Sequence, residues 1–398
     1  MISGLREEFN KQFTEEKYKA YVNELSNVYP GHLDFRIAET PVFIPKWFTQ
    51  KMQDACSAIL EIITKNEYHS NSERSIPASL RVPNEDERPQ FIAFDFGICE
   101  NADGELEPQL VEMQAFPSLF AWHVLMPEVC RTHFAWPDNF SNFLNGLTKQ
   151  TYLELLQKII VGPEHSENVI LLELFPHQQK TRVDFYATEK FTGIKPVCLT
   201  QIIKEGKNLF YLNEGKKTPV HRIYNRVIFD ELLQQPAEVQ EKGKLFNEDL
   251  NVTWVPHPNW FYRFSKFSLP FIRHPFVPET KFLNEIEVLP ADLENYVIKP
   301  LFSFAGQGVI IDVTPGDIEK ISDPENWIIQ RKVKYAPVVK TPDEPAKVEI
   351  RLFYFRESQH AKPLAVNNLA RLSKGKMIGV RYNKDRSWVG GSFCLFER

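Results

Sequence analysis

The chain has 398 residues, with 47 Lys and Arg against 52 Asp and Glu and a formal net charge of −5. At 43% hydrophobic and 25% charged it has a folded, globular composition, long enough for two or three domains, which excludes disorder, collagen and a disulfide scaffold. The negative balance gives no general attraction for nucleic acid or an anionic membrane, and apolar runs such as Val169–Leu172 are far too short to span a bilayer.

The start carries Arg6, Glu7, Glu8 and Lys11 and lacks the apolar core of a signal peptide. The five cysteines are widely spaced and form no C-x-x-C pair, so they read as reduced, buried thiols of a cytoplasmic protein. Glycine is scarce and uneven: ten lie in residues 1–305 and seven in 306–398. Such clustering marks backbone that bends sharply or approaches a ligand.

In chain order, residues 3–27 predict a charged amphipathic helix. Trp47 to Lys65 predicts a better one, with Met52, Cys56, Ile59, Leu60 and Ile63 at helical spacing. Residues 66–89 turn polar and predict a loop. Gln90–Ile98 and Gln109–Gln114 read as strands joined by a turn at Asn101–Gly104, and helices follow at Ser118–Cys130 and Lys149–Ile160. Val169–Leu174 suits a buried parallel strand, residues 178–190 a helix and Lys195–Leu199 another strand, the alternation of a small open α/β domain. Asn208–Leu212 and Val220–Tyr224 flank a turn at Asn213–Gly215, and a strand is expected near Val252–Val255. The last region predicts strands at Tyr296–Lys299, Gly308–Val313, Trp327–Gln330, Lys347–Phe355, Pro363–Leu372 and Met377–Tyr382, with a short helix at Pro315–Ile321.

Two constellations carry chemistry. In the first, Lys299 ends a strand and a turn with Ser303, Gly306, Gln307 and Gly308 follows. Small residues let backbone N–H groups face an anion, and the lysine adds a point charge. It is not a Walker A loop, because the lysine precedes the glycines. Downstream, Glu349 and Arg351 alternate onto one strand face, and Arg371 offers a further cation. In the second, Asp95 lies centrally in one strand while Glu112 and Gln114, two apart, share a face of the next. Three hard oxygen groups of this kind suit Mg²⁺. The aromatic cluster Trp254, Trp260, Phe261, Tyr262 and Phe264 has no basic stripe beside it and reads as core.

This order of parts resembles the ATP-grasp superfamily in its circularly permuted form, as in glutathionylspermidine synthetase and eukaryotic-type glutathione synthetase. The resemblance rests on the Asp95 and Glu112-x-Gln114 strands, Arg222-Ile-Tyr-Asn225-Arg226, Ser265-Lys266, Val277-Pro278-Glu-Thr280 and the Lys299-Pro300 strand end. It implies an α/β ATP-grasp fold with an inserted small open α/β substrate domain. The implied divisions are 1–165 (helical region and metal strands), 166–258 (substrate domain) and 259–398 (ATP lid and C-terminal strands).

It also implies an ATP- and Mg²⁺-dependent ligase that joins a small-molecule carboxylate to an amine through an acyl phosphate. Asp95, Glu112 and Gln114 would hold the metal. Lys266, Lys299, Ser303, Gly306, Gln307, Gly308, Gln330 and Val333 would bind the nucleotide. Arg351 and Arg371 would be catalytic, and Ser118, Asn225, Arg226 and Arg182 would face substrate. The chain departs from the pattern at Gln114, where the family has Asn, and at Ala93, where it has Arg. These departures motivate an alternative, a non-catalytic nucleotide-binding homologue or scaffold. A small-molecule phosphotransferase is a further alternative.

Overall fold

In the computed structural model, which describes residues 2–302, 307–378, 383 and 385–398, a five-stranded antiparallel sheet carries most of the charged motif residues. Its strands run in the order Gly390–Ser392, Leu364–Ser373, Lys347–Phe355, Phe91–Glu100, Leu106–Gln114. Register decides which residues share a face. Asp95 lies opposite Glu112 on one side and Arg351 on the other, and Glu349 lies between Gly97 and Arg371. These residues form one face of the sheet. The alternate residues, among them Phe94, Phe96, Ile350, Leu352 and Leu372, pack in one core with Met52, Cys56, Ile59 and Leu60 of helix Lys46–Ile63.

Between Asp95 and Phe96 the pairing slips by one residue, so Val111 stands as an extra residue in its strand. This bulge turns its carbonyl away from the regular ladder.

A second, wholly parallel sheet has the order Thr253–Val255, Arg222–Asn225, Val169–Glu173, Lys195–Cys198. Its central strand is buried along its whole length, as the apolar run requires. The chain leaves Val169–Glu173 for Lys195–Cys198 on one side, then returns to Arg222–Asn225 on the other. The carboxyl ends of the two middle strands therefore flank a topological switch point, the usual ligand crevice of an open α/β sheet. A third, antiparallel sheet of Thr280–Phe282, Trp327–Arg331 and Tyr296–Pro300 carries Lys299 and Gln330.

Several expectations change. The helix expected over 3–27 is two, Ser3–Gln12 and Glu15–Val28, because Thr14 caps the second by accepting from the Lys17 N–H. The expected loop 66–89 contains helix Asn66–Ser72. The helix expected from Ser118 begins at Trp122, after Leu119 adopts a left-handed backbone. There the buried Asp184 accepts from the Leu119, Ala121 and Trp122 N–H groups at 2.9, 2.9 and 2.8 Å, so a distant acid sets the start. The expected strand Val220–Tyr224 straddles two, Lys216–Val220 and Arg222–Asn225. Gly308–Val313 supplies only an isolated bridge from Ile310 to Ile298. Met377–Tyr382 lies mostly outside the described residues.

Trp254, Trp260, Tyr262 and Phe264 are buried core residues, and all five cysteines are buried and unpaired. Among the described residues no helix is long and apolar enough to cross a membrane.

Candidate functional site

Asp95 is fully buried, and Arg351 grips both its oxygens: Nε donates to Oδ1 at 2.6 Å and Nη2 to Oδ2 at 2.5 Å. Arg371 Nη2 adds a third bond to Oδ2 at 3.2 Å and also donates to Glu349. The Tyr335 hydroxyl holds the other Glu349 oxygen at 3.1 Å. That contact depends on Gly97: a Cβ there would meet the Tyr335 ring at 2.7 Å.

Two lysines converge on the same face. Lys266 Nζ lies 3.4 Å from Glu112 Oε1. Lys299, from the third sheet, donates to the carbonyl of the bulged Val111 at 3.1 Å and to Gln330 Oε1 at 2.6 Å. Gln330 Nε2 donates in turn to Thr280 Oγ1 at 3.0 Å, and Thr280 donates to the Pro278 carbonyl at 2.8 Å. This run of hydrogen bonds from Lys299 to Pro278 fixes the lysine over the charged face where the central and third sheets meet, hereafter the cleft.

The electrostatics follow from this crowding. Burial alone would push the Glu112 carboxyl up, but Lys266, Arg351, Lys299 and Arg371 outweigh it and hold it below the usual range. Burial lowers Lys299 to about 8, only partly opposed by Glu112. Burial also works against the Arg371 charge, yet Glu349, Asp95 and Glu112 more than restore it. The side chains of Arg371 and Glu112 are 39% and 35% exposed, whereas Arg351 is 12% and Lys266 7% exposed. Arg371 and Glu112 are thus more exposed than Arg351 and Lys266.

Mg²⁺ does not fit the residues as they stand. Both Asp95 oxygens are taken by guanidinium groups, and Glu112 faces a lysine. Gln114 lies opposite Ala93, one pair further along the same face. Among the described residues no group of three or more His, Cys, Asp or Glu is placed to hold a metal ion. Four cations and three acids share this face, and each acid is engaged by a neighbouring cation.

The remaining expected residues separate. Asn225 and Arg226 end a middle strand at the switch point, both buried. Arg226 Nη1 donates to the Pro117 carbonyl at 2.8 Å, which ties this crevice to the loop carrying Ser118. Glu173, at the end of the neighbouring strand, is pushed up to about 8 by burial. Arg182 is not a substrate contact: its guanidinium is spent on Asp34, His32 Nδ1 (3.1 Å), and the Gly31 and Gln179 carbonyls (2.8 and 2.9 Å). Gln330, expected among the nucleotide-binding residues, is buried, and its side chain accepts from Lys299. Val333 is half-buried beyond that strand.

Gln307 and Gly308 are exposed, and Gly308 has φ +76° with its Cα close against Pro300, where a Cβ would meet Cγ at 2.9 Å. Ser303 and Gly306 lie outside the described residues. Beside this turn a groove of about 590 Å³ is lined by Phe302, Gln307, Trp327, Ile228, Asp230 and Glu231, among others.

The pair Gly390–Gly391 is a packing device. Gly391 donates to the Arg36 carbonyl at 2.8 Å, and a Cβ on Gly390 would meet that oxygen at 2.5 Å. Sequence reasoning missed Tyr335, Gly97 and the Val111 carbonyl, and a bulge or a ring-on-glycine contact leaves no local signature.

No protein-family model matches the chain, and no curated protein matches its sequence. Among solved structures it is similar to a glutathione synthetase-like effector, GSS30, from Globodera pallida in its apo form. That match has a TM-score of 0.56 at 9% identity and covers 97% of this chain and 98% of the other. The likeness is one of fold: this chain has a mixed α/β, glutathione-synthetase-like architecture over nearly its whole length.

Proposed function

We propose that the chain is an ATP-grasp-type protein that binds the phosphates of a nucleotide between the central sheet and the sheet carrying Lys299. The observation that carries this reading is the convergence of Lys266 and Lys299, from separate elements, on one charged face beside Arg371. A triphosphate needs several fixed cations, and here none depends on a metal. Calorimetry with ATP, in the presence and absence of magnesium, tests it. Binding that weakens strongly in Lys299→Met is expected; no heat of binding under either condition overturns the reading.

A second reading is the carboxylate–amine ligase. It is favoured by the switch-point crevice, where Arg226 and Asn225 would receive a substrate. In it, a substrate carboxylate takes the terminal phosphoryl group of ATP, and an amine displaces phosphate from the resulting acyl phosphate. Arg371, Lys266 and Lys299 would neutralise the charge on the transferring group. Mass spectrometry after incubation with ATP and a panel of carboxylates and amines tests it: an amide product, lost in Arg371→Gln, supports it. ATP binding without any product leaves the protein as a non-catalytic binder.

A further inference from the structure

The hairpin joining strands Lys347–Phe355 and Leu364–Ser373 holds a buried arginine that has no counter-ion among the described residues. Arg356 is 4% exposed. Its backbone N–H is bound to the Gln90 carbonyl at 2.8 Å, and its Nη1 donates to the Ala361 carbonyl. Among the described residues its Nε and Nη2 have no hydrogen-bond partner. Burial lowers Arg356 to about 10, and the neighbouring charge that acts on it, Arg88, pushes the same way. The adjacent Glu357 is engaged by Lys158.

Arg88 is fixed beside it. Its backbone N–H donates to Gln359 Oε1 at 2.8 Å, Gln359 Nε2 returns to the Arg88 carbonyl at 3.1 Å, and its Nη1 reaches the Thr64 carbonyl at 3.3 Å.

Other buried arginines show what a structural role looks like in this chain. Arg263, 1% exposed, is surrounded by Glu85, Glu73, Ser72 and the His69 carbonyl. Arg6 lies over Phe9, 4.6 Å from the ring centroid, and donates to Thr40 and Asn10. Arg356 has neither an acid nor such a set of partners. The donors it leaves unused, Nε and Nη2, lie along one edge of the guanidinium. Arg351 uses the same edge to grip both oxygens of Asp95. An edge of this kind matches a carboxylate or phosphate, and leaving it desolvated and unpaired is costly.

We propose that Arg356 and Arg88 form a second anion site that takes a small oxyanion, the phosphate or carboxylate group of a ligand, on the free edge of Arg356. Arg356 follows the end of strand Lys347–Phe355, five residues on from Arg351 and about 16 Å away at roughly 3.3 Å per residue, and the site does not depend on the nucleotide reading.

Titration of the full chain with inorganic phosphate, and separately with acetate, followed by calorimetry and thermal unfolding, tests it. A saturable rise in melting temperature with either anion is expected. It should weaken about tenfold in Arg88→Gln and in Arg356→Lys, which keeps the charge but loses the fork, and persist in Lys299→Met. Phosphate alone identifies a phosphorylated ligand; response to both identifies a general oxyanion site. Anion binding unchanged in Arg88→Gln and Arg356→Lys overturns the proposal, as does no response to either anion. Anion binding lost in Lys299→Met alone also overturns it, while leaving the cleft reading intact.

Discussion

Arg351 and Asp95 face each other across neighbouring antiparallel strands and join through two parallel hydrogen bonds, with the carboxylate fully buried. The pair is the electrostatic floor of the cleft. Removing one partner leaves the other charge buried and only partly compensated by Arg371. Arg351→Met is therefore expected to cost about 3 kcal/mol of folding stability, read from urea denaturation at neutral pH. A cost within about 0.5 kcal/mol, the range of surface substitutions, would show that Arg371 alone suffices.

Lys299 gives the cleft a pH dependence. Its folded value, about 8, lies below the ordinary lysine value of 10.5. Between those limits the unfolded chain binds more protons, so this residue makes stability rise with pH across that window. Ligand binding runs the other way. ATP affinity is expected to fall as pH rises through about 8, and the fall should flatten in Lys299→Met. Calorimetry from pH 6.5 to about 9.5 reads both.

Glu173 acts with the opposite sign. Burial raises its carboxyl to about 8, so the folded state holds a proton that the unfolded chain loses at ordinary carboxylate values. Its contribution is complete below the unfolded value and is lost as pH rises through about 8. Glu173→Gln should be more stable than the parent at pH 9 and close to it at pH 4. Denaturation midpoints at the two pH values check this, and equal midpoints for the two proteins at pH 9 would contradict it.

Gly97 and Tyr335 should behave as a coupled pair. Gly97→Ala places a methyl 2.7 Å from the ring and is expected to cost about 1–3 kcal/mol as overpacking. In a Tyr335→Ala background the same substitution should cost much less. A double-mutant cycle measures the difference, and additivity would argue that the ring moves away freely.

Much of the fold is legible in the sequence because periodicity and burial agree. Helix Lys149–Ile160 and strand Lys347–Phe355 have the bounds their patterns predict, and helix Lys46–Ile63 differs by a residue or two. Illegible boundaries are those set from a distance, such as the start of helix Trp122–His133, fixed by Asp184 from another helix. The site divides in the same way. Asp95, Glu112, Lys299, Arg351 and Arg371 announce themselves as charges inside apolar strands or at strand ends, whereas Lys266 opens a short helical turn and is marked only by the Ser265-Lys266 resemblance. The pairing of Asp95 with Arg351 depends on strand order, which alternation does not encode, and it changes the meaning of Asp95 from metal ligand to ion-pair partner. Arg182 misleads because a lone helical arginine carries no sign of what it will meet.

The bulge at Val111 has a consequence for how the cleft tolerates change. Lys299 is docked onto a main-chain oxygen, which every amino acid supplies. Mutational scanning of position 111 would therefore find many acceptable residues and give it little weight. Shortening or lengthening the strand by one residue would remove the contact whatever the side chains. At this point the cleft is specified by the length of a strand and not by its lettering.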